Sequence, residues 1–404
     1  MTAADSLADT DVYYDPYDKV IDEDPYPIWR RLRDERPLYY NEKHDFYAVS
    51  RFADVETCLL DWETYSSAKG SILEIIKSGM PMPPGSIIFE DPPGHDLHRG
   101  ILRRVFTPRS IAALEPKIRE FCEHALDPRV GSGSFDFIAD LGAQMPMRTI
   151  GLLLGIPEED QVALREHIDE GLGLDENGES RLTEKLEGGA ETALFADYID
   201  WRAKHPSDDL MTELLEAEFE DMDGTTRRLS RAEVLGYVNL LAAAGNETTT
   251  RLIGWTGKVL ADHPDQRELL VADPSLIPGA IEEVLRFEPP SPVQARYVMR
   301  DVEVHGTVVP QGSAMVLLNA SGNRDERQFT DPDRFDVKRV IDRHLSFGYS
   351  IHFCLGAALA RLEGRIALEE VLKRFPTWEV DTDAAVRAHT STVRGWERLP
   401  VRTP

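Results

Sequence analysis

The reading of this chain turns on Phe347-Gly348-Tyr349-Ser350-Ile351-His352-Phe353-Cys354-Leu355-Gly356, which is followed by a helical run over 357–375. A cysteine that ligates a metal must be a thiolate, and backbone N–H groups and the positive end of a helix starting just beyond it stabilise that anion. Cys354 stands at such a start. Gly348 and Gly356 on either side let the backbone turn tightly and approach a flat group closely. Phe347 and Phe353 supply apolar cover that keeps water off the sulfur. A dry, hydrogen-bonded thiolate is the type of ligand that haem iron takes. The plain alternative is an inert buried cysteine ahead of an ordinary helix.

Upstream, Ser230-Arg231-Ala232-Glu233 forms a capping box. It predicts a helix running to His263-Pro264, roughly 30 residues and about 45 Å at 1.5 Å per residue, enough to cross the molecule. Inside it, Leu241-Ala242-Ala243-Ala244-Gly245-Asn246-Glu247-Thr248-Thr249-Thr250 sets very small residues beside an acid and a hydroxyl in apolar surroundings. Small residues leave room for something flat, and Thr248 can bend the ladder by bonding back to an earlier carbonyl. The alternative is a helix packed closely on a neighbour through Ala and Gly, with Glu247 in a salt bridge. Three weaker signals accompany it. Glu283 and Arg286 share a helix face at i,i+3, Asp331-Pro332-Asp333-Arg334-Phe335-Asp336 follows, and His95 and Arg99 stand one helical turn apart, as a carboxylate clamp would need.

Composition bounds the rest. The 404 residues are 42% hydrophobic, so the chain can bury a core, and 45 Lys+Arg against 72 Asp+Glu leave a net charge of −27. That charge opposes nucleic acid and anionic lipid, so neither a nucleic-acid nor a membrane partner is expected. No apolar run reaches the roughly 18 to 20 residues of a membrane span. The acidic start MTAADSLADTD lacks the cations of a signal peptide, and a cytoplasmic protein is expected. Cys58, Cys122 and Cys354 are too far apart for a disulfide framework or a paired-cysteine metal site. No linker or repeat divides the chain, so residues 1–404 read as one domain. Helical spacing dominates before about residue 285, as in Ile28, Trp29 and Leu32 or Ile118, Phe121, Cys122 and Ala125. Strand patterns occupy 38–50, 296–318, with a turn at His305-Gly306, and 378–401. The fold class expected is mainly α with small flanking β-sheets. Residues 71–89 and 169–189 read as loops able to act as lids.

Taken together, these motifs resemble a soluble bacterial cytochrome P450, in order and spacing from Asp91-Pro92-Pro93-Gly94-His95 to Arg394-Gly395 and Leu399-Pro400-Val401. The resemblance implies a single-domain fold with haem b, iron protoporphyrin IX, between a long distal helix and the proximal cysteine-bearing helix. It implies Cys354 as the iron ligand, and Phe347 and Gly356 as part of the haem-binding loop. His352, His95, Arg99 and Arg296 become propionate partners, and Ala244 and Gly245 line the haem. Glu247 and Thr248 become the acid–alcohol pair that activates oxygen. Glu283, Arg286 and Arg334 match the family's buried ion-pair triad. Ser350 departs from the pattern, standing where a second glycine is usual.

The resemblance further implies a monomeric haem-thiolate monooxygenase, an oxidoreductase that uses O2 and outside electrons to hydroxylate, epoxidise or O-dealkylate a small hydrophobic substrate. Thr248 would hold the oxygen and its water, and Glu247 would relay protons. Peroxide-dependent relatives place Arg and Pro near this position. No flavin or iron–sulfur module is fused to the chain, so a ferredoxin or flavodoxin must dock. Arg103, Arg104, Arg109, Arg361 and Arg365 are expected to form a basic patch for it. Pocket walls are expected from 71–89, 169–189, 240–248, 291–294 and 392–393. A non-catalytic haem carrier would not need the Glu247–Thr248 pair, and a haem-free binding protein would need none of these residues.

Overall fold

The capping box does form: the Ser230 hydroxyl accepts from the Glu233 N–H at 3.3 Å, and the Glu233 carboxylate accepts from the Ser230 N–H at 2.7 Å. From it the long helix Arg231–Asp262 runs for 32 residues. The computed structural model describes residues 11–82, 86–103, 106–161, 195–390 and 392–404. Most of the long helix is buried, because its apolar positions face several neighbours rather than one. Its middle lies against the helix Met145–Leu154, where a Cβ added to Gly245 would come within 2.6 Å of Ile150 Cδ1. Further on, its Leu252 abuts Gly364 of the cysteine helix Ala357–Arg374. Ile118, Cys122, Val234, Leu252, Ile366 and Val371 belong to one apolar core that these helices share.

A five-stranded sheet flanks this body. Leu38–Asn41 pairs antiparallel with Phe46–Val49, which pairs parallel with Ala314–Leu317. That strand pairs antiparallel with Gln294–Val298, and Tyr65–Ser66 closes the edge. The register sets Tyr47 opposite Met315 and Met315 opposite Arg296. Arg296 is thereby fixed on a central strand. The Val302–Val304 and Thr307–Val309 hairpin turns at His305 and Gly306, both with positive φ, as the sequence predicts. At the C-terminus, Val386–His389 pairs with Arg394–Arg398, while Pro400–Arg402 pairs with both Glu379–Val380 and Ser134–Asp136.

Two expectations change, and one is not reached. Residues 71–89 are not simply loop, since Leu73–Ser78 is helical and Ile87–Phe89 forms a 3-10 turn. The second expected lid, 169–189, lies outside the described residues. The buried ion-pair cluster also has a different third member. Arg286 binds Glu283 through two bonds of 2.7 and 2.8 Å, both side chains fully buried, and the second guanidinium on Glu283 is Arg339 at 3.1 Å. The Arg334 side chain is 66% exposed and pairs with Asp336. Its backbone carbonyl, with those of Thr330 and Asp331, receives bonds from Arg339 instead. No helix among the described residues is long and apolar enough to cross a membrane.

Candidate functional site

The cysteine loop is held by its own backbone. Cys354 N–H donates to the Phe347 carbonyl at 2.8 Å, Phe353 N–H to Ser350 at 3.1 Å, and Gly348 N–H to Leu345 at 2.9 Å. Gly348 (φ +66°) and Ser350 (φ +61°) both take the left-handed region, so the serine adopts the conformation that a glycine would adopt more cheaply. Phe347 is buried, with the Arg361 guanidinium 4.5 Å from its ring centre and the Phe353 ring 6.2 Å away.

Cys354 combines two properties. Its surface is exposed, yet burial by the surrounding protein is the largest influence on its thiol and pushes the pKa up, opposed by the Gly356 N–H and by Arg99 and Arg361. A group that is open at its surface and surrounded at longer range lines an interior space. Nothing lies within 4 Å of where a Gly356 Cβ would stand, so that space continues beside the sulfur.

The middle of the long helix shows the same signature. Ala244 is exposed between buried turns, and Leu240 and Thr248, one turn to either side, are partly open. Ala244 therefore supplies the open face, whereas the small size of Gly245 serves packing on Ile150. Thr248 donates its hydroxyl back to the Ala244 carbonyl at 2.8 Å, as the sequence predicts. Glu247 does not meet Thr248. It is buried and bonded to Arg251, whose other guanidinium nitrogen donates to the Trp396 carbonyl on the strand Arg394–Arg398. Arg251 went unremarked in the sequence, although its i,i+4 spacing from Glu247 is the signal for such a pair.

Four basic side chains gather near the cysteine. His95 and Arg99 come from the helix Gly94–Arg103, Arg296 from the central strand and His352 from the cysteine loop. The His95 and His352 rings stand 4.5 Å apart, and the Nε2 of each is buried without a partner. His95 Nδ1 meets Asp96 at 3.1 Å, and Arg99 donates to the Phe353 carbonyl. Among the described residues neither Arg99 nor Arg296 forms a salt bridge; Arg296 bonds only the Ala295 carbonyl at 2.8 Å and Gln294 at 3.3 Å. Burial lowers the pKa of His352 to about 3, assisted by repulsion from Arg296, His95 and Arg99, and burial lowers that of Arg296 to about 10. A buried cation without a counter-anion, as Arg296 is among the described residues, is expensive, and so are buried ring nitrogens without a partner. A ligand carrying two carboxylates would satisfy them, and haem, with an iron for the thiolate and two propionates, fits these residues.

The pocket walls partly assemble. The Ser291 hydroxyl donates to the Thr392 carbonyl at 3.2 Å, which joins two of the expected wall segments, and Ser71 at the start of a third accepts at 2.8 Å from Ala295 N–H, one residue beyond 291–294. The expected basic patch is smaller than its arginine count. Arg361 is bound by Glu282 at 2.7 and 3.0 Å, and Arg365 by Glu115 and Glu369 at 2.6 and 2.8 Å. Arg103 and Arg109 are exposed and form no ion pair among the described residues, and Arg104 lies outside them. Phe353 is 38% exposed.

The cytochrome P450 family profile matches residues 184–393. A putative cytochrome P450 123 of Mycobacterium tuberculosis is 39% identical over 398 residues, covering 98% of each chain. A vitamin D(3) 25-hydroxylase of Pseudonocardia autotrophica is 35% identical over 389 residues, 94% of each chain. The structure of a mutant of P450 EryK in complex with erythromycin B superposes with a TM-score of 0.85 at 33% identity, covering 94% of this chain and 96% of that one.

Proposed function

Because the chain belongs to the cytochrome P450 family and is a haem-dependent monooxygenase, we propose that Cys354 is the axial ligand of its iron and that His95, Arg99, Arg296 and His352 hold the propionates. The observation that carries this reading is the pair of buried, unpartnered Nε2 atoms of His95 and His352, with the buried Arg296 that forms no salt bridge among the described residues, beside an exposed thiol. Bound haem supplies the reductive activation of dioxygen. The protein's part is positional and protic. Gly356 N–H and the following helix stabilise the sulfur anion, Phe347 and Phe353 keep water from it, and Ala244 leaves the opposite face open. Thr248 can turn its hydroxyl from the Ala244 carbonyl toward that open face. Glu247 can move a proton there only by exchanging its bond to Arg251.

The substrate proposed is a neutral or weakly polar organic molecule, since Ser71, Leu73, Ile76, Ser291, Thr392 and Val393 offer no buried charge; the names of the relatives, with vitamin D(3) and erythromycin B, point to bulky organic compounds. Electrons are proposed to come from a ferredoxin or flavodoxin that docks by Arg103, Arg109 and the exposed Phe353 ring. We further propose one catalytic domain over 1–404, working as a cytoplasmic monomer.

The test is optical. Reduced protein with carbon monoxide should give the strongly red-shifted Soret band of a thiolate complex, and Cys354→Ala should abolish both this band and turnover. An imidazole-like band in the unaltered protein, or colour and turnover that survive the substitution unchanged, would overturn the assignment. For the substrate, a panel of neutral organic compounds should shift the haem spin state, whereas a response confined to charged ligands would contradict the class.

A further inference from the structure

Glu363 lies on the cysteine helix, nine residues beyond Cys354, at 2% exposure in the core between helices. We propose that it is carried as a neutral carboxylic acid and acts as a positioning residue, tying the helix of Thr248 to the helix led by Cys354. Three observations support this. First, its carboxyl forms no salt bridge among the described residues; the groups that face it are the hydroxyls of Thr149, on Met145–Leu154, and of Thr249, on the long helix, and its Oε1 is buried without a partner. An ionised carboxylate in that position would have no compensation. Second, a threonine hydroxyl has a single proton, and that of Thr149 is donated to the Met145 carbonyl at 3.0 Å. That bond competes with any the hydroxyl offers Glu363, so the carboxyl faces two neutral hydroxyls, which lower its pKa but bring no positive charge to balance an ionised oxygen. Third, the consecutive threonines divide three tasks. Thr248 lies on the open face, Thr249 reaches Glu363, and Thr250 bonds the Gly142 carbonyl at 2.6 Å.

Burial accordingly lifts this carboxyl to about 8, against the pull of the two threonines. The other titratable group facing it is the Cys122 thiol on Glu115–Leu126, which burial also raises. The helices Met145–Leu154 and Ile277–Phe287 and the long helix set no charged side chain against it among the described residues. Ionisation would therefore strain the link between Glu363 and Thr249. That consequence for the site rests on the assignments of Cys354 and Thr248; the protonation state does not.

The experiment compares infrared difference spectra of the haem-loaded full chain and of Glu363→Gln, which keeps the shape and a neutral hydrogen-bonding head. The unaltered protein should show the carbonyl stretch of a buried carboxylic acid at pH 6 that fades with a midpoint near 8, and E363Q should lack it. The thiolate-type Soret band of the reduced carbon monoxide complex should weaken over the same pH interval in the unaltered protein, stay level in E363Q and be diminished at every pH in E363L. A missing acid band at pH 6, a band that persists in E363Q, or identical Soret titrations of the two proteins would overturn the proposal. A wrong assignment of Cys354 looks different: no thiolate-type band appears in any variant at any pH, and the infrared titration alone decides the state of Glu363.

Discussion

Ser350 offers a direct measure of strain in the cysteine loop. It stands at φ +61° without a glycine's freedom, and its hydroxyl makes no hydrogen bond among the described residues. An L-residue in the left-handed region costs about 1–2 kcal/mol relative to its ordinary conformations. Replacing it with glycine recovers that strain but gives back about 0.4–1 kcal/mol of unfolded-chain entropy. The difference predicts that Ser350→Gly stabilises the protein by roughly 0.5–1 kcal/mol by these two terms. Ser350→Ala keeps the strain and loses nothing, so it should fall within about 0.5 kcal/mol of the unaltered protein. Ser350→Val adds a β-branched side chain to the same φ and should destabilise by about 1 kcal/mol or more. The assay is the urea midpoint at unchanged m-value, followed by circular dichroism, with the rate of haem loss measured alongside. If S350G were less stable than S350A, or S350V as stable as the unaltered protein, this conformation of the loop would be refuted.

Other outcomes follow from the ion pairs and the buried acid. Glu283→Ala strands the buried Arg286 and should cost about 3–5 kcal/mol in urea unfolding, Arg339→Ala about 2–3 kcal/mol, and Arg334→Ala under about 1 kcal/mol; a loss for R334A equal to that for R339A would restore Arg334 to the cluster. Glu363 is raised from 4.5 to about 8, so the folded state binds the extra proton between those values and its stability contribution declines as pH rises from 4.5 toward 8. Three and a half units at about 1.4 kcal/mol each set an upper bound of about 5 kcal/mol. E363Q should therefore gain stability on the unaltered protein by about 2–5 kcal/mol between pH 5 and 9, and parallel pH profiles would refute this. Charge reversal at Arg103 or Arg109 should slow reduction by an acidic ferredoxin about 3- to 10-fold at low salt, with the effect fading as salt rises. Because Glu115 and Glu369 already engage Arg365, its replacement by Gln should change that rate less, and the opposite ranking would move the docking surface.

Elements with strong local signals were legible in the sequence. The capping box at Ser230 set the start of the long helix, the positive-φ pair His305-Gly306 set a hairpin, and the cysteine loop was readable because its glycines, aromatics and histidine are all local. The strand Ser134–Asp136 was not, since three residues carry no period and its partner, Pro400–Arg402, lies far away in the chain. The helix Leu73–Ser78 hid inside a stretch whose Pro and Gly content reads as loop. Gly245 is legible as a small residue, but a sequence does not say which surface a missing side chain accommodates, and here that surface is Ile150.

Partners are harder to read than elements, and the arginines show why. Arg334 and Arg339 stand five residues apart in one irregular segment, and no periodicity distinguishes them; the chain turns so that one backbone carbonyl and the other guanidinium face inward. Arg361 and Arg365 fall on a helix face that reads as basic, yet the acids that neutralise them, Glu282 and Glu115, come from other helices, with Glu369 alone within i,i+4 reach. Counting cations therefore overstates the field around the cysteine. Atoms that lack a partner escape this difficulty, since a buried polar nitrogen with none has to be satisfied by something else. His95 Nε2 and His352 Nε2 are such atoms, their rings 4.5 Å apart, and they are the basis on which the propionate-holding role is proposed.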